Sequence, residues 1–204
     1  MEKGGVLCSA LLKYGEIGEK IKMSKVYVFM ADGTEEVEAL TVIDLLRRAK
    51  VEVVTVSIME KKQVMTSHKI GVEADELYGE SDYMDGDMIV LPGGMPGTTH
   101  LKNHEALRKV LFAYKEAGKY LAAICAAPSI YGWNGMLEGK KAICYPGFEE
   151  ELKGAMVTNE GVVTDGQFIT SKGLGTAIDF SLELITLLVN AETAENIAKA
   201  VQYK

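Results

Sequence analysis

Histidine is scarce in this chain, three in 204 residues, as are cysteine (three), proline (four) and tryptophan (one). Three cysteines (Cys8, Cys125, Cys144) do not make a disulfide framework at this length. An odd count that includes a candidate nucleophile suits a reducing, cytoplasmic location. Lysine and arginine never cluster beyond pairs such as Arg47-Arg48 or Lys61-Lys62, and the formal net charge is −7. The electrostatic footprint of a nucleic-acid binder is therefore missing. No apolar run approaches the ~20 residues needed to cross a bilayer, so no membrane partner is expected. No histidine–cysteine cluster has metal-ligand spacing, and neither a metal nor a cofactor is expected.

What is present fits one α/β domain with a sizeable core: 48% of residues are apolar and 25% charged. Residues 1–22 differ from the rest. A mildly apolar stretch broken by glycine and serine gives way to polar residues, with no cleavage site, which argues against a signal peptide. Met23-Ser24-Lys25 looks like a natural start. The chain thus reads as an N-terminal extension of unknown role (1–22) and a single domain (23–204).

Apolar runs and helical periodicities alternate along that domain. A strand at 26–30 enters the turn Ala31-Asp32-Gly33-Thr34, with Thr34 read as a helix cap. A helix follows to residue 49, with acidic residues in its first turn, where the dipole favours them. A β-branched strand spans 51–58, and residues 60–80 read as a small hairpin at the sheet margin. A buried strand at 87–91 is stopped by Pro92-Gly93-Gly94. Further helices are expected at 104–117, about 176–189 and 193–201, and strands at 120–124, 141–144 and 168–171. Such alternation predicts a doubly wound, mainly parallel sheet with helices on both faces. Ligands then bind beyond the carboxyl ends of the strands. Residues 33–38, 92–94 and Cys125 all belong at that edge.

Cys125 ends the strand Tyr120-Leu121-Ala122-Ala123-Ile124 and opens a helix at Ala126-Ala127-Pro128. Ala123 and Ala127 give the small-x-nucleophile-x-small spacing of a nucleophile elbow, where a sharp turn tolerates no bulk on either side. Free N–H groups and the helix end beside the sulfur predict a thiol pKa well below the ordinary ~8.5. For the carboxylate partner, Glu35, Glu36 and Glu38 are equally eligible from the residues alone. Gly93 and Gly94 can bring backbone N–H groups close to a substrate carbonyl, forming an oxyanion hole with the Ala126 amide. Cys144 reads as a core residue, and Gly173-Leu174-Gly175-Thr176 as a tight helix entry without the spacing of a phosphate loop.

Four segments together resemble the ThiJ/PfpI family, the group of the parkinsonism-associated protein deglycase and its bacterial ThiJ-type relatives. They are Ala31 to Glu38, Val90 to Gly94, Ala122 to Pro128, and Thr170 to Thr176. The resemblance implies a flavodoxin-like fold, class I glutamine amidotransferase-like, in a protein that is usually a homodimer. It makes Cys125 the nucleophile and selects Glu38 as the carboxyl facing it, held protonated so that it donates to the sulfur. Family members that act as Cys-His amidases carry a site histidine. Ala126 and Tyr145 occupy the corresponding positions here, and Tyr145 is read as a possible substrate contact. His68, where some relatives have an arginine near the subunit contact, reads as a surface or capping residue, as do His100 and His104. That pattern excludes a Cys-His protease.

The activity implied is a cofactor-free glyoxalase or protein deglycase acting on methylglyoxal, or on its early adducts with protein amines or thiols. An oxidation sensor or redox-regulated chaperone would use the same cysteine. A role in thiamine-precursor metabolism has no direct support in these residues.

Overall fold

The computed structural model describes residues 23–203. Its strands are β1 (Lys25–Met30), β2 (Glu52–Ser57), β3 (Gln63–Met65), β4 (Gly71–Glu73), β5 (Glu76–Leu77), β6 (Met88–Leu91), β7 (Tyr120–Ile124), β8 (Lys141–Ala142), β9 (Met156–Val157), β10 (Val162–Asp165) and β11 (Phe168–Ser171). The helices are α1 (Glu36–Arg48), α2 (Gly97–Asn103), α3 (Glu105–Glu116), α4 (Pro128–Trp133), α5 (Ala177–Leu188) and α6 (Ala191–Ala200). Seven strands form the main sheet in the order β10-β11-β7-β6-β1-β2-β5. All its pairs are parallel except β10 with β11, which closes one edge as an antiparallel hairpin.

Period-2 alternation feeds two separate cores from the same strands. Val26, Val28 and Met30 of β1 pack with α1 and α5, whereas Tyr27 and Phe29 pack with α3 and α4. A sheet covered on both faces needs strands that are apolar throughout, and β1, β6 and β7 are buried almost end to end. This three-layer α/β/α arrangement is doubly wound, as the alternation predicts, and flavodoxin-like, as the resemblance implies. Among the described residues no helix is long and apolar enough to cross a membrane.

Local details depart from the sequence reading. Residues 60–80 split: β3 and β4 pair as a separate hairpin, while β5 joins the edge of the main sheet through β2. The strand expected at 141–144 stops at Ala142 and pairs with β9, outside the main sheet. Thr34 does not cap α1. Its hydroxyl accepts the Ala31 N–H at 3.0 Å inside the turn, and Glu35 holds the cap position. His100 lies in α2, a short helix absent from the sequence reading. His104 does cap α3, its Nδ1 accepting the Leu107 N–H at 3.0 Å. The extension read at 1–22 lies outside the described residues.

Candidate active site

Four neighbouring strands, β1, β6, β7 and β11, deliver their carboxyl ends to one point, and each contributes a loop. Cys125 directly follows β7 with φ 65°, a left-handed conformation costing a residue with a side chain about 1–2 kcal/mol. Bonds from both sides clamp it there: the Cys125 N–H donates to the Ser171 carbonyl (2.9 Å), and its carbonyl accepts the Tyr145 N–H (2.7 Å). Ala123 and Ala127 are fully buried beside the turn, so the small residues serve as the elbow spacing predicts. Cys125 is half-buried.

Glu38 stands on the first turn of α1 and is 1% exposed. Its side chain is hydrogen-bonded with Cys125 and also accepts the N–H of Leu174. Its Oε2 accepts the Gly93 N–H at 2.9 Å. Gly93 threads between the two reactive side chains. A Cβ on it would lie 2.6 Å from the Cys125 Cβ and 2.7 Å from Glu38 Oε2, so only glycine fits. The amide of Gly93 is thus committed to Glu38, which removes it from the oxyanion group proposed from sequence. The N–H groups of Ala126 and Gly94 do reach the sulfur. Gly94 adopts φ 89°, and a Cβ there would collide with the backbone of Gly33 and Glu35.

Tyr145 lies beside the site. A Cβ on Gly173 would sit 3.4 Å from the Tyr145 ring and 3.9 Å from Cys125 Sγ, so ring and sulfur border the same small space. Cys144, next in chain, is buried in the opposite direction. The Leu174 amide and the close approach of Gly173 were invisible in the sequence, where that segment read only as a helix entry.

Electrostatics corrects one expectation. Burial is the largest influence on both reactive groups. It pushes Glu38 up to about 7, assisted by the charge of Glu35 and opposed by the hydrogen bonds from Cys125, Gly93 and Leu174. Burial also pushes the Cys125 thiol up to about 12, reinforced by the charge and hydrogen bond of Glu38 and opposed by the Ala126 and Gly94 amides. The helix end and free N–H groups alone therefore do not depress the thiol. Two adjacent buried anions are excluded, so the groups titrate as a pair that keeps one proton across neutrality. Since one member ionises at about 7, the pair releases its first proton at that value or lower. The carboxyl, at about 7, loses its proton well before the thiol, at about 12, so the first charge sits on Glu38, which is then placed to take the thiol proton.

Fold and elbow agree with what comparison reveals: a model of the DJ-1/PfpI family matches residues 24–187. The chain belongs to the DJ-1/PfpI family. Among its relatives, protein DJ-1 homolog B of Arabidopsis thaliana is 40% identical over 176 residues, covering 85% of this chain and 40% of that protein. The chain thus spans less than half of that relative's length. Glutathione-independent glyoxalase DJ-1 of Schizosaccharomyces pombe is 28% identical over 189 residues, covering 88% of this chain and 98% of that protein. The solved structure of oxidized Toxoplasma gondii DJ-1 superposes with a TM-score of 0.85 at 39% identity, covering 88% of this chain and 98% of that one.

One further feature of the chain escaped the sequence. The β3–β4 turn brings His68 against Glu35 and Glu36, its Nδ1 lying 3.5 and 2.9 Å from their carboxylates. His68 is on the surface, as expected, yet it is not isolated there.

Proposed function

We propose that this DJ-1/PfpI protein is a cofactor-free, cysteine-dependent glyoxalase that converts methylglyoxal, or its early adducts with protein amines or thiols, to a 2-hydroxy acid. The observation carrying this reading is the Cys125–Glu38 pair, a half-buried cysteine hydrogen-bonded to an enclosed carboxyl raised to about 7. A group with that value exchanges protons readily at neutral pH, which answers the lack of a site histidine. The glyoxalase activity named for the Schizosaccharomyces pombe relative adds support.

In this mechanism the Cys125 sulfur adds to the aldehyde carbon of the 2-oxoaldehyde, forming a C–S bond. The new oxyanion takes hydrogen bonds from the Gly94 and Ala126 amides. Glu38 takes the thiol proton as the sulfur adds and passes it to the new oxygen. The carboxylate so regenerated removes the proton on the former aldehyde carbon and returns it to the adjacent carbonyl carbon, while the hydroxyl proton moves to the neighbouring oxygen. The hemithioacetal becomes the thioester of a 2-hydroxy acid, and water cleaves the C–S bond to release the acid and the thiol. Substrate plus water equals product, so no external oxidant or reductant is required. Tyr145 borders the space where the acyl group would lie.

The test incubates purified full-length protein with methylglyoxal and measures lactate. Turnover that disappears in Cys125→Ser supports the reading; no turnover, or turnover equal in the two proteins, overturns it. A second reading, oxidation sensing, draws on the same half-buried cysteine, whose two amides and carboxyl would hold the oxygens of a sulfinate. A relative solved in an oxidized form is consistent with it. Peroxide oxidation confined to Cys125, in a protein without turnover, selects that reading. Nothing in the site favours thiamine-precursor chemistry.

We also propose a homodimer in a cytoplasmic setting. The first half of α1 presents Val37 (43% exposed) and Leu40 (41% exposed) to solvent, three residues apart on one face.

A further inference from the structure

We infer that Glu35, Glu36 and His68 form a binding site for a first-row divalent cation of the zinc type, separate from the reactive cysteine. One ligand atom from each lies within 4.8 Å of the others. The separations from His68 Nδ1 to Glu36 Oε1, 2.9 Å, and to Glu35 Oε2, 3.5 Å, match the spacing of donors around an ion. Ligands about 2.1 Å from zinc at tetrahedral to right angles stand about 3.0–3.5 Å apart. Imidazole nitrogen with two carboxylate oxygens is a donor set for zinc and its neighbours rather than for calcium or magnesium.

A second observation points to a ligand independently of that spacing. Glu35 is 9% exposed. Its Oε2 accepts from Ser67 Oγ at 2.7 Å and faces His68, while its Oε1 is buried with no hydrogen-bond partner among the described residues. Buried carboxylate oxygens are nearly always satisfied, and an orphan in such a place calls for an ion or water. Glu36 is similarly enclosed, so two neighbouring carboxylates are buried side by side. No lysine or arginine among the described residues pairs with either; a cation supplies the missing charge.

The scaffold is firm. The Ser67 N–H donates to the Thr34 carbonyl at 2.9 Å, tying the β3–β4 turn to the residues before α1. Thr66 closes that turn, its N–H donating to the Ile70 carbonyl at 2.9 Å and its Oγ1 accepting the Ile70 N–H at 3.1 Å. His68 is 69% exposed along its side chain, leaving the remaining coordination positions of the ion open to water or another ligand.

The test strips full-length protein with a chelator and titrates Zn2+ against a chromophoric competitor. One ion per chain is expected, with affinity unchanged in Cys125→Ser and reduced at least tenfold in both His68→Gln and Glu36→Gln. Cobalt in the same site should show no thiolate charge-transfer band. His68 is a surface side chain, so its replacement leaves folding intact. Absence of binding, unchanged affinity in His68→Gln, or loss in Cys125→Ser overturns the inference, the last by moving the ion to the cysteine. None of these outcomes bears on methylglyoxal turnover, so the two proposals stand or fall separately.

Discussion

Replacing Glu38 by glutamine should make the protein more stable at alkaline pH while removing its chemistry. Burial raises the carboxyl from 4.5 to about 7, and at 1.36 kcal/mol per unit that shift corresponds to about 3 kcal/mol. Because the folded-state value is raised, the contribution is fully present below about pH 4.5 and is lost as pH climbs through about 7. Wild-type stability therefore declines over that window by up to about 3 kcal/mol. A glutamine amide keeps an oxygen for the Gly93 N–H and carries no charge, so it escapes the decline. Weaker bonding to the Gly93 and Leu174 amides offsets part of the gain. The net expectation is about 2 kcal/mol in favour of Glu38→Gln at pH 8, or about 4–8 °C in Tm for a domain of this size. The difference should shrink below about 1 kcal/mol at pH 5. Denaturant unfolding at the two pH values measures it. A variant no more stable than wild type at pH 8, or a gap independent of pH, would refute the claim that an enclosed, raised carboxyl sits beside the sulfur.

Other perturbations address other parts of the site. Gly93→Ala puts a methyl 2.6 Å from the Cys125 Cβ and 2.7 Å from Glu38 Oε2; it should destabilise by about 1–3 kcal/mol and abolish turnover, and retention of both properties would contradict the packing. Tyr145→Phe should raise KM and leave kcat nearly unchanged if the phenol only contacts substrate; a fall in kcat alone would give the ring a chemical role instead. Leu40→Glu, at an exposed position of α1, should convert a dimer to a monomer by light scattering with the fold intact, whereas an unchanged mass would place the interface elsewhere.

Much of this architecture was legible from one-dimensional pattern. The parallel strands β1, β6 and β7 are apolar on both faces, and a continuous apolar run shows that directly. The elbow was legible because steric exclusion around a tight turn leaves a trace as Ala123 and Ala127. Glu38 was not separable from Glu35 and Glu36 by residue type, since all three flank one helix start and differ only in which face they present. Only the resemblance selected it. The two-residue strands β8 and β9 are too short for periodicity to register.

The other misses are juxtapositions across distant chain segments. The commitment of the Gly93 amide to Glu38 spans 55 residues, and the meeting of Ser67 and His68 with the first turn of α1 spans 31 or more. The sign of the thiol shift was misjudged for the same reason. Local helix geometry argued for depression, whereas burial and a carboxyl from the first turn of α1 dominate.

Thiolate absorbance of Cys125 followed against pH, with Cys125→Ser as the blank, tests the shared proton most directly. An ionisation well above the ordinary ~8.5 is predicted, falling in both Glu38→Gln and Glu38→Leu, which remove the carboxylate charge that raises it. A wild-type value at or below the ordinary ~8.5, or one indifferent to residue 38, would contradict the account.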